Sequence, residues 1–180
     1  MRNKIIVIFG PSGSGKSTLG KHLEEIGVHK MITNTSRAPR KGEVQDVDYH
    51  FKTREEFEEG VERGEYLEYT CYGGNYYGTS IKDVEKALTY NQSYYTILDA
   101  EGLKVMKKKF GDKCLSIFLT ADKKVLRQRM VDRGDKLEDV ESRLSIVNDD
   151  NRNFKYADYT IVSIDEKTTN DAIDKILEEV

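Results

Sequence analysis

Long apolar runs are missing from this chain: no stretch of its 180 residues approaches the roughly 20 needed to cross a bilayer, so no membrane-spanning helix is expected. From Met1 the chain passes into an apolar strand without a signal-peptide pattern, and a cytoplasmic setting is expected. Cysteine is scarce. The two present, Cys71 and Cys114, sit in strand-like apolar surroundings with no Cys-x-x-Cys or Cys/His partner nearby, which reads as two buried, reduced thiols rather than a metal or disulfide framework. An excess of either charge is also missing. With 29 basic and 32 acidic residues the net charge is −3, which excludes a general attraction to nucleic acid or to a membrane surface, so any anion site must be local. No internal repeat or low-complexity segment interrupts the pattern.

What is present is one domain's worth of residues, 37% hydrophobic and 34% charged, enough to bury a core beneath a heavily solvated surface. The most informative stretch is Gly10-Pro11-Ser12-Gly13-Ser14-Gly15-Lys16-Ser17, which follows the apolar run Ile5 to Phe9 and leads into a helical pattern from Thr18 to Ile26. Glycines let such a loop point several N–H groups at one anion, and the helix that follows adds its positive end. In this Gly-x-x-x-x-Gly-Lys-Ser order, Lys16 reaches the β- and γ-phosphates of a nucleotide and the Ser17 hydroxyl holds Mg²⁺. An ordinary glycine-rich turn has no reason to require Lys and then Ser at its end.

On the helix after the loop, Leu19, Leu23 and Ile26 fall on one face and Gly27 is a plausible stop. Between Thr33 and Ser93 the texture changes to short strands, many tyrosines and scattered glycines, an insertion on the core. Thr53 to Glu56 forms a capping box for a helix reaching about Gly64, and Ser80 caps another through about Tyr90. The core then resumes with a strand from Tyr94 to Leu98, a helix near Leu103 to Phe110 and a strand from Cys114 to Leu119. Two charged helical stretches follow, Lys123 to Arg133 and Glu138 to Asn153, broken at Gly134. A last strand, Tyr159 to Val162, precedes a helix whose buried face is marked by Ala172, Ile173, Ile176, Leu177 and Val180. Alternating strands and helices predict a parallel sheet covered on both sides.

Several separate segments resemble those of guanylate kinases: Ser36-Arg37-Ala38-Pro39-Arg40-Lys41-Gly42-Glu43 with Asp48-Tyr49-His50-Phe51, then Glu65-Tyr66-Leu67-Glu68, Gly74-Asn75-Tyr76-Tyr77-Gly78-Thr79 and Asp99-Ala100-Glu101-Gly102. With the phosphate loop before them and Arg133-Gly134 and Arg143 after, the resemblance covers almost the whole chain. It implies an α/β P-loop kinase: a central parallel sheet flanked by helices (1–32, 94–122 and 157–180), a small α+β GMP-binding insertion (33–93) and a helical lid (123–156). The implied reaction is Mg²⁺-dependent transfer of the ATP γ-phosphoryl group to GMP. ATP would lie on the loop residues Gly10 to Ser17, on Thr18 and under Arg129 and Arg133.

Chemistry gives the other residues of the resemblance sensible roles. Arg37 and Arg40 offer two planar forks to a phosphate monoester, completed by the Tyr49 and Tyr77 hydroxyls; the resemblance makes that group the GMP phosphate and adds Glu43 to the same side. Guanine presents adjacent N1–H and N2–H donors, so one carboxylate at Glu68 accepts from both, whereas adenine would leave it unmatched at a cost of roughly 1.5–3 kcal/mol if buried. By resemblance Thr33, Thr79 and Asp99 complete the base site. Lys16, Arg37, Arg133 and Arg143 would neutralise charge on the transferring phosphoryl, the last two from a lid that excludes water.

Each residue taken singly has a plainer reading. Arg37 and Arg40 could be solvated loop cations, Tyr49 and Tyr77 half-buried strand residues, and Glu68 one more surface acid. Arg129, Arg133 and Arg143 could be helix cations paired with Asp132, Asp139 or Glu141. Two rival functions also stand: the same fold acting on dGMP or another phosphorylated acceptor, and a non-catalytic binding module. Against the family pattern, Asp46 replaces a glycine, the Arg133 to Arg143 loop is a residue shorter, and Ile97, Glu101 and Ser163 stand where other residues are usual. Asp46 can still adopt the left-handed turn conformation a glycine would take there; Ile97 and Glu101 bear on metal and acceptor positioning.

Overall fold

Every residue of β1 (Ile5–Phe9) is buried, because this strand lies at the centre of a sheet covered on both faces. The computed structural model describes residues 4–90 and 92–180. Met1 to Asn3 and Asn91, which fall in the ranges expected for the core and the insertion, lie outside the described residues. Beside β1 run β7 (Tyr94–Ile97) on one side and β8 (Cys114–Thr120) on the other, with β2 (His29–Lys30) and β9 (Tyr159–Val162) at the edges. All pairings are parallel. The two-residue β2 carries no apolar run and was not visible in the sequence pattern.

Period-two alternation divides β1 between two cores. Ile6 and Ile8 meet Leu19 and Leu23 of α1 (Lys16–Glu25) and Ile173 and Ile176 of α8 (Glu166–Glu179). Ile5, Val7 and Phe9 meet Val84 of α3 (Ile81–Thr89) and Leu103 and Met106 of α4 (Ala100–Phe110) on the other side. Each such large side chain stabilises the fold by about 1.5–3 kcal/mol when fully buried. No helix among the described residues is long and apolar enough to cross a membrane.

The chain between β2 and β7 builds a second sheet in the order β4-β3-β6-β5, from β3 (Asn34–Thr35), β4 (His50–Phe51), β5 (Tyr66–Tyr72) and β6 (Asn75–Ser80). On it lies α2 (Arg54–Glu62), whose capping box is formed as expected: Thr53 accepts from the Glu56 amide, and Glu56 accepts from the Thr53 amide. Phe57 of α2 stacks between Tyr66 and Tyr76, with ring centroids 4.3 and 5.2 Å away. Asp46, at φ 63°, is the one described non-glycine residue with positive φ, the conformation an aspartate tolerates in place of glycine.

Four details differ from expectation. Ile26 is 47% exposed, because α1 ends at Glu25 in a Schellman turn: Gly27 N–H donates to Glu24 O, Val28 N–H donates to Leu23 O, and Val28 rather than Ile26 enters the core. Val180, the last residue, is likewise exposed. Cys71 is exposed because β5 is an edge strand; only Cys114, in the central sheet, is buried. The helix expected over 138–153 is broken at Ile146 into α6 (Leu137–Ser145) and α7 (Val147–Asn151), and continues as a 3₁₀ turn from Arg152 to Tyr156. At the break the Ser145 hydroxyl donates to Ser142 O and the turn buries Val147 in place of Ile146. With α5 (Lys123–Asp132) these helices enclose a small core of Leu126, Met130, Val140, Leu144 and Val147.

Candidate active site

The loop between β1 and α1 is shaped by glycines that no other residue could replace. A Cβ on Gly10, at φ 138°, would lie 2.0 Å from Leu119 O, and one on Gly13 2.7 Å from Leu126 O. Gly15 takes φ 98° as the N-cap of α1. Pro11 and Ser14 are buried beneath the loop, while Gly10, Ser12, Gly13, Gly15, Lys16, Ser17 and Thr18 line a cleft of about 1040 Å³. The Lys16 ammonium donates to Gly10 O and Pro11 O, both at 2.8 Å. Burial is the main cause that pushes its pKa down to about 8, and the charge of Arg133 and Arg143 adds to that while Asp150 opposes it.

The cleft is large for a single small-ligand site, and its walls come from all three parts of the molecule. From the second sheet come Thr33, Arg40, Tyr49, Glu68, Tyr77 and Thr79; from the end of β7, Ile97, Leu98 and Asp99; from the helices after β8, Arg129, Arg133, Arg143 and Asp150. The residues read from separate motifs thus share one cavity. Arg37 and Glu43 do not line it. Arg37 Nη2 donates to Glu43 Oε1 at 2.9 Å and Glu43 Oε2 accepts from the Arg40 amide at 2.7 Å, which stiffens the turn that presents Arg40. Burial would raise the Glu43 carboxyl, but the Arg37 and Arg40 bonds outweigh it and hold it below the usual carboxylate range.

Glu68 is half-buried and aimed by two neighbours. The Thr79 hydroxyl donates to Glu68 Oε1 at 2.6 Å, and a Cβ on Gly102 would lie 3.0 Å from Oε2, so glycine there gives the carboxylate room that a larger residue would crowd. Burial, together with the charge of Asp99, pushes Glu68 above the usual carboxylate range against the Thr79 bond. Asp99 caps α4, its Oδ1 accepting from the Gly102 amide at 2.8 Å. The Tyr49 and Tyr77 rings meet edge-on at 6.3 Å, with the Arg37 guanidinium 5.6 Å over the Tyr49 ring.

Arg129 follows neither reading in full. Its guanidinium donates to Ser163 Oγ at 3.0 Å, to the carbonyls of Ser163 and Ile164, and at 3.5 Å to Gly13 O, tying the phosphate loop to the chain after β9. Ser163 therefore has a definite partner. Arg127, not Arg129, pairs with Glu141. Glu101 lies outside the cleft in an exposed pair with Lys104, whereas Ile97 lines the cleft. Arg133 and Arg143 both donate to Ser12 Oγ and to the carboxylate of Asp135. Asp135 was missed by sequence reasoning; the acid immediately after Gly134 was the available signal.

No group of three or more His, Cys, Asp and Glu residues that could hold a metal exists among the described residues. Ser17 lines the cleft beside Lys16, and one hydroxyl suits a Mg²⁺ ion carried in on phosphates and otherwise coordinated by water.

A parallel sheet, a glycine-shaped phosphate loop at the end of its central strand and arginines brought over that loop define a P-loop phosphotransferase. The family model "Guanylate kinase" matches residues 2–180, and the chain belongs to that family. It is 35% identical to a guanylate kinase of Campylobacter jejuni across 98% of this chain and 89% of that one. It is 36% identical to one of Enterococcus faecalis, covering 90% and 81% respectively. The crystal structure of guanylate kinase from Anaplasma phagocytophilum superposes with a TM-score of 0.78 at 28% identity, covering 99% of this chain and 86% of that one.

Proposed function

We propose that the chain transfers the γ-phosphoryl group of ATP to GMP, giving ADP and GDP. The observation that carries the acceptor assignment is Glu68, held by Thr79 and given room by Gly102, in the same cleft as the phosphate loop. A carboxylate there accepts the N1–H and N2–H of guanine together, and Thr33, Thr79 and Asp99 border the same pocket. Arg40, on the turn braced by the Arg37–Glu43 pair, holds the acceptor phosphate with Tyr49 and Tyr77. Residues 33–93 then act as the GMP-binding part and 123–156 as the lid.

At the donor end the loop amides and Lys16 hold the ATP phosphates, and Ser17 would hold Mg²⁺, which when bound offsets phosphate charge as the phosphoryl moves. Arg133 and Arg143 neutralise the equatorial oxygens from the lid side. The acceptor is already an oxyanion, so no strong general base is required of the protein.

ADP formation from Mg-ATP with GMP, dGMP, AMP, UMP or no acceptor tests this reading. Strong dependence on GMP, with or without dGMP, is expected; equal ADP with every acceptor would remove the guanine assignment.

A further inference from the structure

Arg133 and Arg143 carry like charge yet share one acceptor, Ser12 Oγ, at 2.8 and 3.3 Å. Their mutual repulsion would separate them without an anion between. Asp135 supplies that anion. Helix α5 ends in a Schellman turn, in which Gly134 N–H donates to Val131 O at 2.9 Å and Asp135 N–H donates to Met130 O at 3.1 Å. The turn fixes the Asp135 backbone directly beyond Arg133. Its side chain, 15% exposed, accepts from Arg133 Nε at 2.8 Å through Oδ1, and through Oδ2 from Arg133 Nη2 at 2.5 Å and Arg143 Nη1 at 2.8 Å.

The grip is directional. Arg133 spends Nε and both Nη2 hydrogens on Asp135 and Ser12, while its Nη1 group donates to no acceptor among the described residues. One edge of the fork is thus anchored and the other is left for a phosphoryl oxygen. The hydrogen bond from Arg133, reinforced by the charges of Arg133, Arg143 and Arg40 across the cleft, outweighs burial and holds the Asp135 carboxyl below the usual range, so it is ionised at neutral pH.

We propose that Asp135 is a positioning residue for phosphoryl transfer, fixing Arg133 and Arg143 together on Ser12 of the phosphate loop before the substrates react. The proposal rests on the kinase reading above. Orientation of this kind is worth most in the transition state, where a displacement of about 1 Å costs up to about 100-fold in rate.

The test measures kcat, KM for ATP and GMP, and melting temperature for the wild type, Asp135→Asn, Asp135→Glu, Arg143→Ala and the Asp135→Asn/Arg143→Ala double variant. Asparagine keeps the shape but loses the charge, and its kcat is expected to fall about 10- to 100-fold, with KM for GMP changed less than about threefold. Glutamate, one methylene longer, is expected to lie between asparagine and the wild type. Because part of the effect of Asp135 runs through Arg143, adding Asp135→Asn to Arg143→Ala should cost less than the same change costs the wild type, the remaining loss being the part that acts through Arg133. A kcat within about twofold of the wild type for Asp135→Asn, or an undiminished loss on the Arg143→Ala background, overturns the proposal. If the asparagine variant does not fold, Asp135→Glu decides alone: a several-fold lower kcat at unchanged KM supports the proposal, and a wild-type kcat overturns it. Lack of GMP-dependent ADP formation by the wild type would instead overturn the kinase reading.

Discussion

The two ends of the cleft are built by different means. At the phosphate loop, backbone makes the site: Gly10 and Gly13 pass so close to Leu119 and Leu126 that no side chain fits. At the end formed by the second sheet and the helices after β8, side chains make it. Glu68 and Thr79 face each other across β5 and β6, Gly102 comes from α4, and Arg133, Asp135 and Arg143 meet around Ser12. A backbone site tolerates almost no substitution at its glycines, whereas a side-chain site degrades in steps as single partners are removed.

The largest expected effect lies at the backbone end. Gly10→Ala sets a Cβ 2.0 Å from a carbonyl oxygen at a φ that side chains rarely adopt, and should destabilise the fold by about 3 kcal/mol while abolishing ATP binding. Thermal unfolding and ATP calorimetry check this; a variant with normal ATP affinity would show that the loop is more tolerant than its geometry implies. Glu68→Gln should be next. An amide accepts only at its oxygen and sets its NH₂ donors against those of guanine, so kcat/KM for GMP should fall by about 1.5–3 kcal/mol, roughly 10- to 150-fold, with ATP affinity unchanged. Loss of ATP binding in that variant would mean that the two ends are not separable.

The Lys16 prediction probes the donor end by pH. Its pKa near 8 in the free protein means that the native state binds fewer protons than the unfolded chain between about 8 and 10.5. The cost of burying the charge is therefore fully present below about pH 8, and this group's contribution to stability rises with pH through that window. Phosphates restore a reason to be charged, so ATP binding at pH 8 should take up about half a proton, and affinity should fall as pH rises further. Calorimetry in buffers of different ionisation enthalpy reads the uptake directly. The smallest effect is expected from Gly102→Ala: the new methyl presses on Glu68 Oε2 at 3.0 Å, and a flexible side chain yields, so KM for GMP should rise only about threefold to tenfold. A change in KM for ATP alone would contradict the placement of Glu68 on the acceptor side.

Legibility in the sequence follows the same division. Ile5 to Ser17 is contiguous, so spacing alone locates the phosphate loop, and a strand buried on both faces reads as an unbroken apolar run. The capping box at Thr53 and the left-handed turn at Asp46 are local as well, and both are present. Ile26 and Cys71 are exposed despite their apolar surroundings in sequence because burial depends on where a helix stops and on whether a strand lies at a sheet edge, neither of which hydrophobicity alone records. The helix break at Ile146 follows from which of two adjacent apolar residues the core under α5, α6 and α7 accepts.

The sequence by itself determined the sheet, its covering helices, the phosphate loop and, through segments resembling one family, the guanine-directed chemistry, because each depends on residues close together in the chain or on recognisable local patterns. Only the tertiary structure decided that Arg129 ties the loop to Ser163, that Arg37 and Glu43 brace a turn outside the cleft, and that Asp135 gathers two arginines onto Ser12. The reason is physical: a hydrogen bond or ion pair forms where charges meet in space, and sequence separation does not constrain which of the many acids and bases of a heavily charged surface will meet.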